Sequence, residues 1–110
     1  MRPYKHPAAE ELVLERVLYA LSDSIRLDIV RHLAHVACAT CGELDGGRPK
    51  STVSHHFKVL RESGLVLTEN TGTSHMNTLR RADIESRFPG LLAAILSQGQ
   101  PAPAKRKKAA

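Results

Sequence analysis

The chain reads as a mainly α-helical domain carrying one β-hairpin, with element order α-α-α-α-β-β-α. Three observations predict it. Apolar residues recur at helical spacing through most of residues 8–63. Gly64 then introduces two short β-prone runs, Leu65–Asn70 and Ser74–Arg80, joined by Thr71-Gly72-Thr73. Helical spacing resumes afterwards in Leu91, Leu92, Ile95 and Leu96.

Residues 1–7 hold two prolines with Lys5 and His6 and are expected to form a loose, flexible arm ahead of a domain spanning 8–98. The first helix is predicted over Ala8–Leu21, where Leu14, Val17, Leu18 and Leu21 repeat at helical spacing and Leu12 and Val13 widen the apolar face. A face that wide on so short a chain requires burial against something additional. Ser22 or Asp23 can cap the second helix, whose inner face is Ile25, Ile29, Val30 and Leu33 and which runs to about His35. A short third helix fits Cys38–Asp45 and ends at Gly46-Gly47, since glycine adopts positive φ without steric cost. Gly46-Gly-Arg-Pro-Lys50 then turns the chain sharply into a fourth helix, 51–63, making helices three and four a turn-linked pair of the kind that binds DNA. Gly64 stands at the position just past that helix, and the Thr71-Gly-Thr73 turn gives a hairpin of three-residue loop type. Asp83 is expected to cap a last helical region over Ile84–Phe88, broken or restarted at Pro89. Residues 99–110, with Lys105-Arg-Lys-Lys108, have too little apolar content to pack and should be a disordered basic tail.

The fourth helix carries the chemistry. At about 100° per residue, Val53, Phe57 and Leu60 share one stripe, and Ser51, His55, Lys58 and Glu62 lie roughly opposite. Ser, Thr and His donate and accept hydrogen bonds from short or planar groups. Asp and Glu are absent from Arg48 to Arg61, whereas Arg48, Lys50, Lys58 and Arg61 place four positive charges there. An ordinary solvated helix mixes both signs; a helix entering a groove lined by phosphates does not.

The segment Lys50-Ser-Thr-Val-Ser-His-His-Phe-Lys-Val-Leu-Arg-Glu-Ser-Gly-Leu65 resembles the recognition helix of ArsR-type (ArsR/SmtB) winged helix-turn-helix regulators. The resemblance extends back to Leu21-Ser-Asp-Ser-Ile-Arg-Leu-Asp-Ile-Val30, similar to the family's Leu-x-Asp-Pro-x-Arg-x-x-Ile-Leu with Ser24 in place of Pro. It reaches forward to the hairpin and covers about Ala20 to Leu79. It implies a winged helix-turn-helix homodimer, mainly α with a β-hairpin wing, that acts as a transcriptional repressor on an inverted-repeat double-stranded DNA operator. Helix 51–63 would lie in the major groove, and the first and last helices would pack on their symmetry mates through Leu14, Val17, Leu18, Leu91, Leu92 and Ile95.

On that reading Ser51, Thr52, Ser54, His55 and Lys58 contact the groove, with His55 projecting farthest. Lys50, Arg48 and Arg61 hold phosphates, and Asn70, Thr71, Thr73 and His75 of the wing reach the backbone or minor groove. His56 lies on a flank near the core stripe and is open to two readings, a DNA contact or a partly buried hydrogen-bonding residue.

Composition agrees with local rather than global attraction to nucleic acid. Of 16 basic residues in this 110-residue chain, four sit in Lys105–Lys108, leaving 12 against 11 acidic ones, so the formal charge of +5 belongs mostly to the tail. No secretory signal or membrane-length apolar run is apparent, which points to the cytoplasm and away from a membrane partner. With no Trp and few aromatics, stacking of single strands is disfavoured and duplex is the better partner.

The signal sensed is less legible. With Ser54-His-His-Phe57 fixing the register, Cys38 falls on the first cysteine of the family's Cys-x-Cys-x-Asp metal box, Thr40 or its neighbour on the second, and Cys41 on the Asp. Only Cys38 carries over, and the last helix has no His. His32, His35, Cys38 and Cys41 are spaced three apart and make a nominal Cys₂His₂ set, which only a chain break near Cys38 could gather. Two thiols three apart can also come within disulfide range. A metal site, a dithiol redox switch and a small apolar cysteine packed beneath the fourth helix therefore stay open, and no cofactor is assigned firmly. Two other classes compete. One is a winged-helix protein–protein interaction module whose tail alone touches nucleic acid. The other, an enzyme, is disfavoured by the lack of a nucleophile elbow or phosphate-binding glycine loop.

Overall fold

The computed structural model describes residues 4–98, so the basic tail and the first three residues lie outside it. The expected first helix is two pieces. A single 3₁₀ turn, Ala9–Glu11, opens with the Ala8 N–H donating to Glu11 Oε1 at 2.7 Å, the chain runs extended through Leu12 and Val13, and α1 occupies Leu14–Leu21. Leu12 is the cause. It turns inward to 2% exposure and lies directly over Gly64, where any added Cβ would collide with it.

Helix α2, Ser24–Leu33, is capped by Asp23, whose Oδ2 accepts from the N–H groups of Ile25 (2.9 Å) and Arg26 (3.1 Å). Ser24 is thereby the first helical residue, the position where the missing N–H of proline costs nothing.

The expected third helix is shorter than its sequence suggested. Ala39–Thr40 forms a two-residue strand, β1, and only Cys41–Leu44 is helical (α3). Thr40 and Glu43 set that start: the Glu43 N–H donates to Thr40 Oγ1 (3.1 Å) and the Thr40 N–H to Glu43 Oε1 (2.8 Å), a reciprocal capping box. Helix α4, Lys50–Ser63, ends at Gly64 with φ 91°, where the Leu65 N–H returns to Leu60 O at 3.2 Å.

Strands β2, Val66–Thr71, and β3, Ser74–Leu79, form the hairpin, and the sheet order is β1-β3-β2, all antiparallel. Thr71 pairs with Ser74, so the loop is the two-residue Gly72-Thr73 rather than three residues. Gly72 has φ 68° and Thr73 keeps negative φ, the pattern of a II′ hairpin turn, whose twist matches the strands. Asn77, fully buried, ties the sheet together: it accepts from Thr68 Oγ1 (2.6 Å) and donates to Ala39 O (3.2 Å).

Helix α5, Arg81–Arg87, starts one turn before the expected cap. Asp83 sits inside its first turn and accepts from Arg80 Nε at 3.0 Å instead of from backbone amides. Gly90, φ 83°, restarts the chain after Pro89 into α6, Leu91–Leu96. The core lies where α1, α2, α4, the sheet and α5 meet, with Val17, Val30, Leu60, Leu65, Val66 and Ile84 all at 0% exposure.

Two of the six expected dimer residues belong to this core. Val17 (0%) and Leu92 (2%) are buried within the protomer and have no surface left for a partner. Leu14 (41%) and Leu18 (44%) stay exposed, beside Val13 (43%) and Tyr19 (59%); Leu91 and Ile95 are half-buried. Among the described residues no helix is long and apolar enough to cross a membrane.

Candidate nucleic-acid interface

The orientation of α4 is fixed from beneath by a buried arginine. Arg26, 5% exposed, donates from Nε to Ala20 O (2.8 Å) and from Nη2 to Tyr19 O (3.2 Å), satisfying two carbonyls at the end of α1. Its Nη1 lies 3.1 Å from His56 Nδ1 on α4. Arginine has only donors, so His56 Nδ1 is the acceptor and the ring is the neutral Nε2–H tautomer. Burial lowers the His56 pKa, helped by the charges of Arg26, His55 and Arg48 and opposed by Asp23, whose Oδ2 is 3.8 Å away. Burial alone would raise the Asp23 carboxyl, but the N–H groups of Arg26 and Ile25, and the charge of Arg26, bring it below its ordinary value. His56 therefore leaves the list of DNA contacts. At 9% exposure it fastens α4 to α1 and α2.

With Val53, His56, Phe57 and Leu60 inside, the remaining face of α4 turns to solvent: Ser51, Thr52, Ser54, His55 and Lys58 are all exposed. Lys50 is exposed at its start. Arg48 is half-buried and reaches back to Asp45 O (3.4 Å), and Arg61, also half-buried, lies 4.2 Å over the Tyr4 ring. Both keep their charge near α4, but neither projects freely.

In the wing, Asn70 and His75 face each other across the strands. Nδ1 of His75 is 2.7 Å from Asn70 Oδ1, which requires that nitrogen to carry the proton, and 3.1 Å from the Tyr4 hydroxyl. These two side chains brace the hairpin, leaving Thr71 and Thr73 exposed at its tip.

The N-terminal segment, expected to be a loose arm, lies against the domain from Tyr4 to Pro7. His6 Nε2 accepts from the Thr68 N–H (3.0 Å) on the free edge of β2, and Arg80 Nη1 donates to Pro7 O (2.8 Å). Burial, then the charges of Arg80 and Arg61, lower the His6 pKa, against smaller opposing contributions from Glu69 and the Tyr4 backbone. Nothing in apolar periodicity marks this segment. Its only sequence signal is an aromatic and a histidine among prolines.

The chain does break beside Cys38, as a metal site would need, yet among the described residues no three His, Cys, Asp or Glu side chains come together to hold an ion. His32, His35 and Cys38 are exposed; Cys41 is half-buried, its Sγ 3.3 Å from Asn77 Nδ2. Both thiols are free.

A protein-family model described as a helix-turn-helix domain matches residues 21–69. The HTH-type transcriptional regulator YceK of Bacillus subtilis (strain 168), itself uncharacterised, is 32% identical over 91 residues, covering 79% of this chain and 90% of that protein. Among solved structures, the transcriptional repressor BigR from Xylella fastidiosa superposes with a TM-score of 0.63 at 28% identity, over 80% of this chain and 87% of that one. An ArsR family transcriptional regulator gives the same TM-score at 19% identity, over 80% of this chain and 98% of that one, a likeness of fold. The chain belongs to the ArsR family of winged helix-turn-helix, DNA-binding transcriptional regulators.

Proposed function

We propose that the protein is a repressor that binds an inverted-repeat operator as a homodimer, with α4 of each protomer in successive major grooves. One observation carries this reading: the whole solvent face of α4 is hydrogen-bonding or cationic from Lys50 to Lys58, while its other face is locked into the core by Phe57, Leu60 and the Arg26–His56 contact. Ser51, Thr52, Ser54 and His55 read base edges, Lys50 and Lys58 hold phosphates, and Thr71 and Thr73 touch the backbone from the wing. Arg48 and Arg61 add to the field around the groove. The exposed apolar face of α1, Val13, Leu14, Leu18 and Tyr19, together with Leu91 and Ile95, supports pairing with a second copy. Such a chain works in the cytoplasm, where the DNA is.

The test is equilibrium binding to an operator selected from genomic fragments and to random duplex. Lys50→Ala should weaken both and flatten the salt slope by about one unit, whereas His55→Ala should also erode discrimination between them. Unchanged discrimination in His55→Ala removes α4 from the groove. Loss of all binding on ending the chain at Gln98 favours the rival reading, a protein-binding module with a nucleic-acid-binding tail.

A further inference from the structure

A cleft of ≈ 260 Å³ opens between α3, α4, the wing and the N-terminal segment. Its floor is apolar, Val53 and Phe57 at 3% and 2% exposure. The Tyr4 ring forms one wall, held by the contact to His75 and carrying the Arg61 guanidinium 4.2 Å from its centroid; Cys41 and Gly42 line the α3 side. Lys50 and Arg61 bring two positive charges to the lining, and among the described residues neither lies within ion-pair distance of a carboxylate. The acid in the lining, Asp45, is turned to its own loop, accepting from the Gly47 N–H at 2.8 Å.

We propose that this cleft binds a small planar organic anion, of the aromatic carboxylate type, and that its binding opposes DNA binding. The apolar floor and aromatic wall favour a ring, and the unneutralised cations favour a negative group at its edge. The volume lies just below the range of about 300–1,000 Å³ that holds drug-sized ligands, which limits the occupant to roughly one ring with its substituent. Inorganic phosphate would satisfy the charges without using the apolar and aromatic lining. The regulatory half rests on the DNA reading above: Lys50 and Ser54 line the cleft and also serve the groove, so ligand and DNA phosphates draw on the same groups, and the coupling is negative and reciprocal.

The test titrates ¹⁵N-labelled full-length protein, free of DNA, with sodium benzoate, with benzamide as the neutral isostere and with inorganic phosphate, all at matched ionic strength. Benzoate should give saturable shifts at Tyr4, Cys41, Gly42, Phe57 and His75, and benzamide should bind more weakly, by up to about fivefold, as expected for loss of an exposed ion pair. Gly42→Leu adds bulk at the α3 side of the lining, where its Cβ meets nothing nearer than Thr40 Oγ1 at 3.9 Å; circular dichroism checks that the variant is folded, and it should abolish the shifts. Arg61→Gln should reduce the benzoate-to-benzamide preference, and Arg61→Gln with Lys50→Gln should bring it close to one. Absence of saturable shifts at these residues, their persistence in a folded Gly42→Leu protein, or equal binding of phosphate overturns the site. Operator affinity should fall on saturation with benzoate in the parent and not in Gly42→Leu; benzoate binding without that fall overturns the coupling. A parent protein that binds no operator overturns the DNA reading, and with it the coupling, while the titration still decides the cleft.

Discussion

Replacing Arg26 by alanine should cost more stability than any surface substitution in this protein. The change removes a side chain that is 5% exposed and leaves Ala20 O and His56 Nδ1 without the Arg26 donor, whereas Tyr19 O keeps the Ser22 N–H (3.1 Å) and the Ser22 hydroxyl (2.6 Å). The loss therefore falls on the other two acceptors, Ala20 O and His56 Nδ1. Each unsatisfied buried acceptor costs roughly 1–3 kcal/mol, which puts the loss from two at about 2–6 kcal/mol. Against a total of about 5–15 kcal/mol for a domain of this size, that is a large fraction. At roughly 4–8 °C per kcal/mol the melting temperature should drop by about 10 °C or more. Urea unfolding followed by circular dichroism measures it, and Arg26→Lys should lose an intermediate amount, because one ammonium group cannot span acceptors on two helices. A melt of Arg26→Ala within about 0.5 kcal/mol of the parent, the range of ordinary surface changes, would refute the buried lock.

Ser24→Pro should stabilise by about 0.4–1 kcal/mol in the same assay, since Ser24 is the first residue of α2, Asp23 before it is already extended at φ −117° and ψ 136°, and the N–H groups Asp23 accepts are those of Ile25 and Arg26. Destabilisation would mean that the helix start is misplaced. Stability should also depend on pH through His56 and His6, whose burial holds both folded pKa values below the ordinary histidine value of 6.5. Each contribution is complete above about pH 6.5, where unfolded histidine is neutral, and is lost as the pH falls through the lower folded values. Thermal melts should therefore fall on acidification below about pH 6.5. His56→Asn, which keeps an acceptor toward Arg26 but cannot titrate, should flatten part of that fall; an identical pH profile in the variant would contradict the neutral, buried ring.

Most of the helices, the wing and the outward face of α4 were legible in the sequence because each rests on local chemistry. Apolar spacing placed α2 and α4, and Gly64 stopped α4 because only an achiral residue fits both its φ of 91° and the Leu12 side chain above it. What stayed hidden depends on distant partners. Val17 and Leu14 look alike by periodicity, and only the packing of α1 against the rest of the protomer sends one to 0% and leaves the other at 41% exposure. His56 was ambiguous for the same reason: its role is set by Arg26, thirty residues earlier. Ala39–Thr40 is a strand only because β3 comes back beside it, and Tyr4–Pro7 is ordered by the edge of β2 and by Arg61 and Arg80, none of which leaves a local pattern.

The most direct measurement is protection of guanine N7 from methylation on an operator selected from genomic DNA, since N7 faces the major groove. Two protected blocks should appear with centres about 34 Å, or a multiple of it, apart, and Leu18→Glu, which charges the exposed face of α1, should lose the paired pattern. A single block, or even protection regardless of sequence, would contradict a twofold assembly reading DNA through α4.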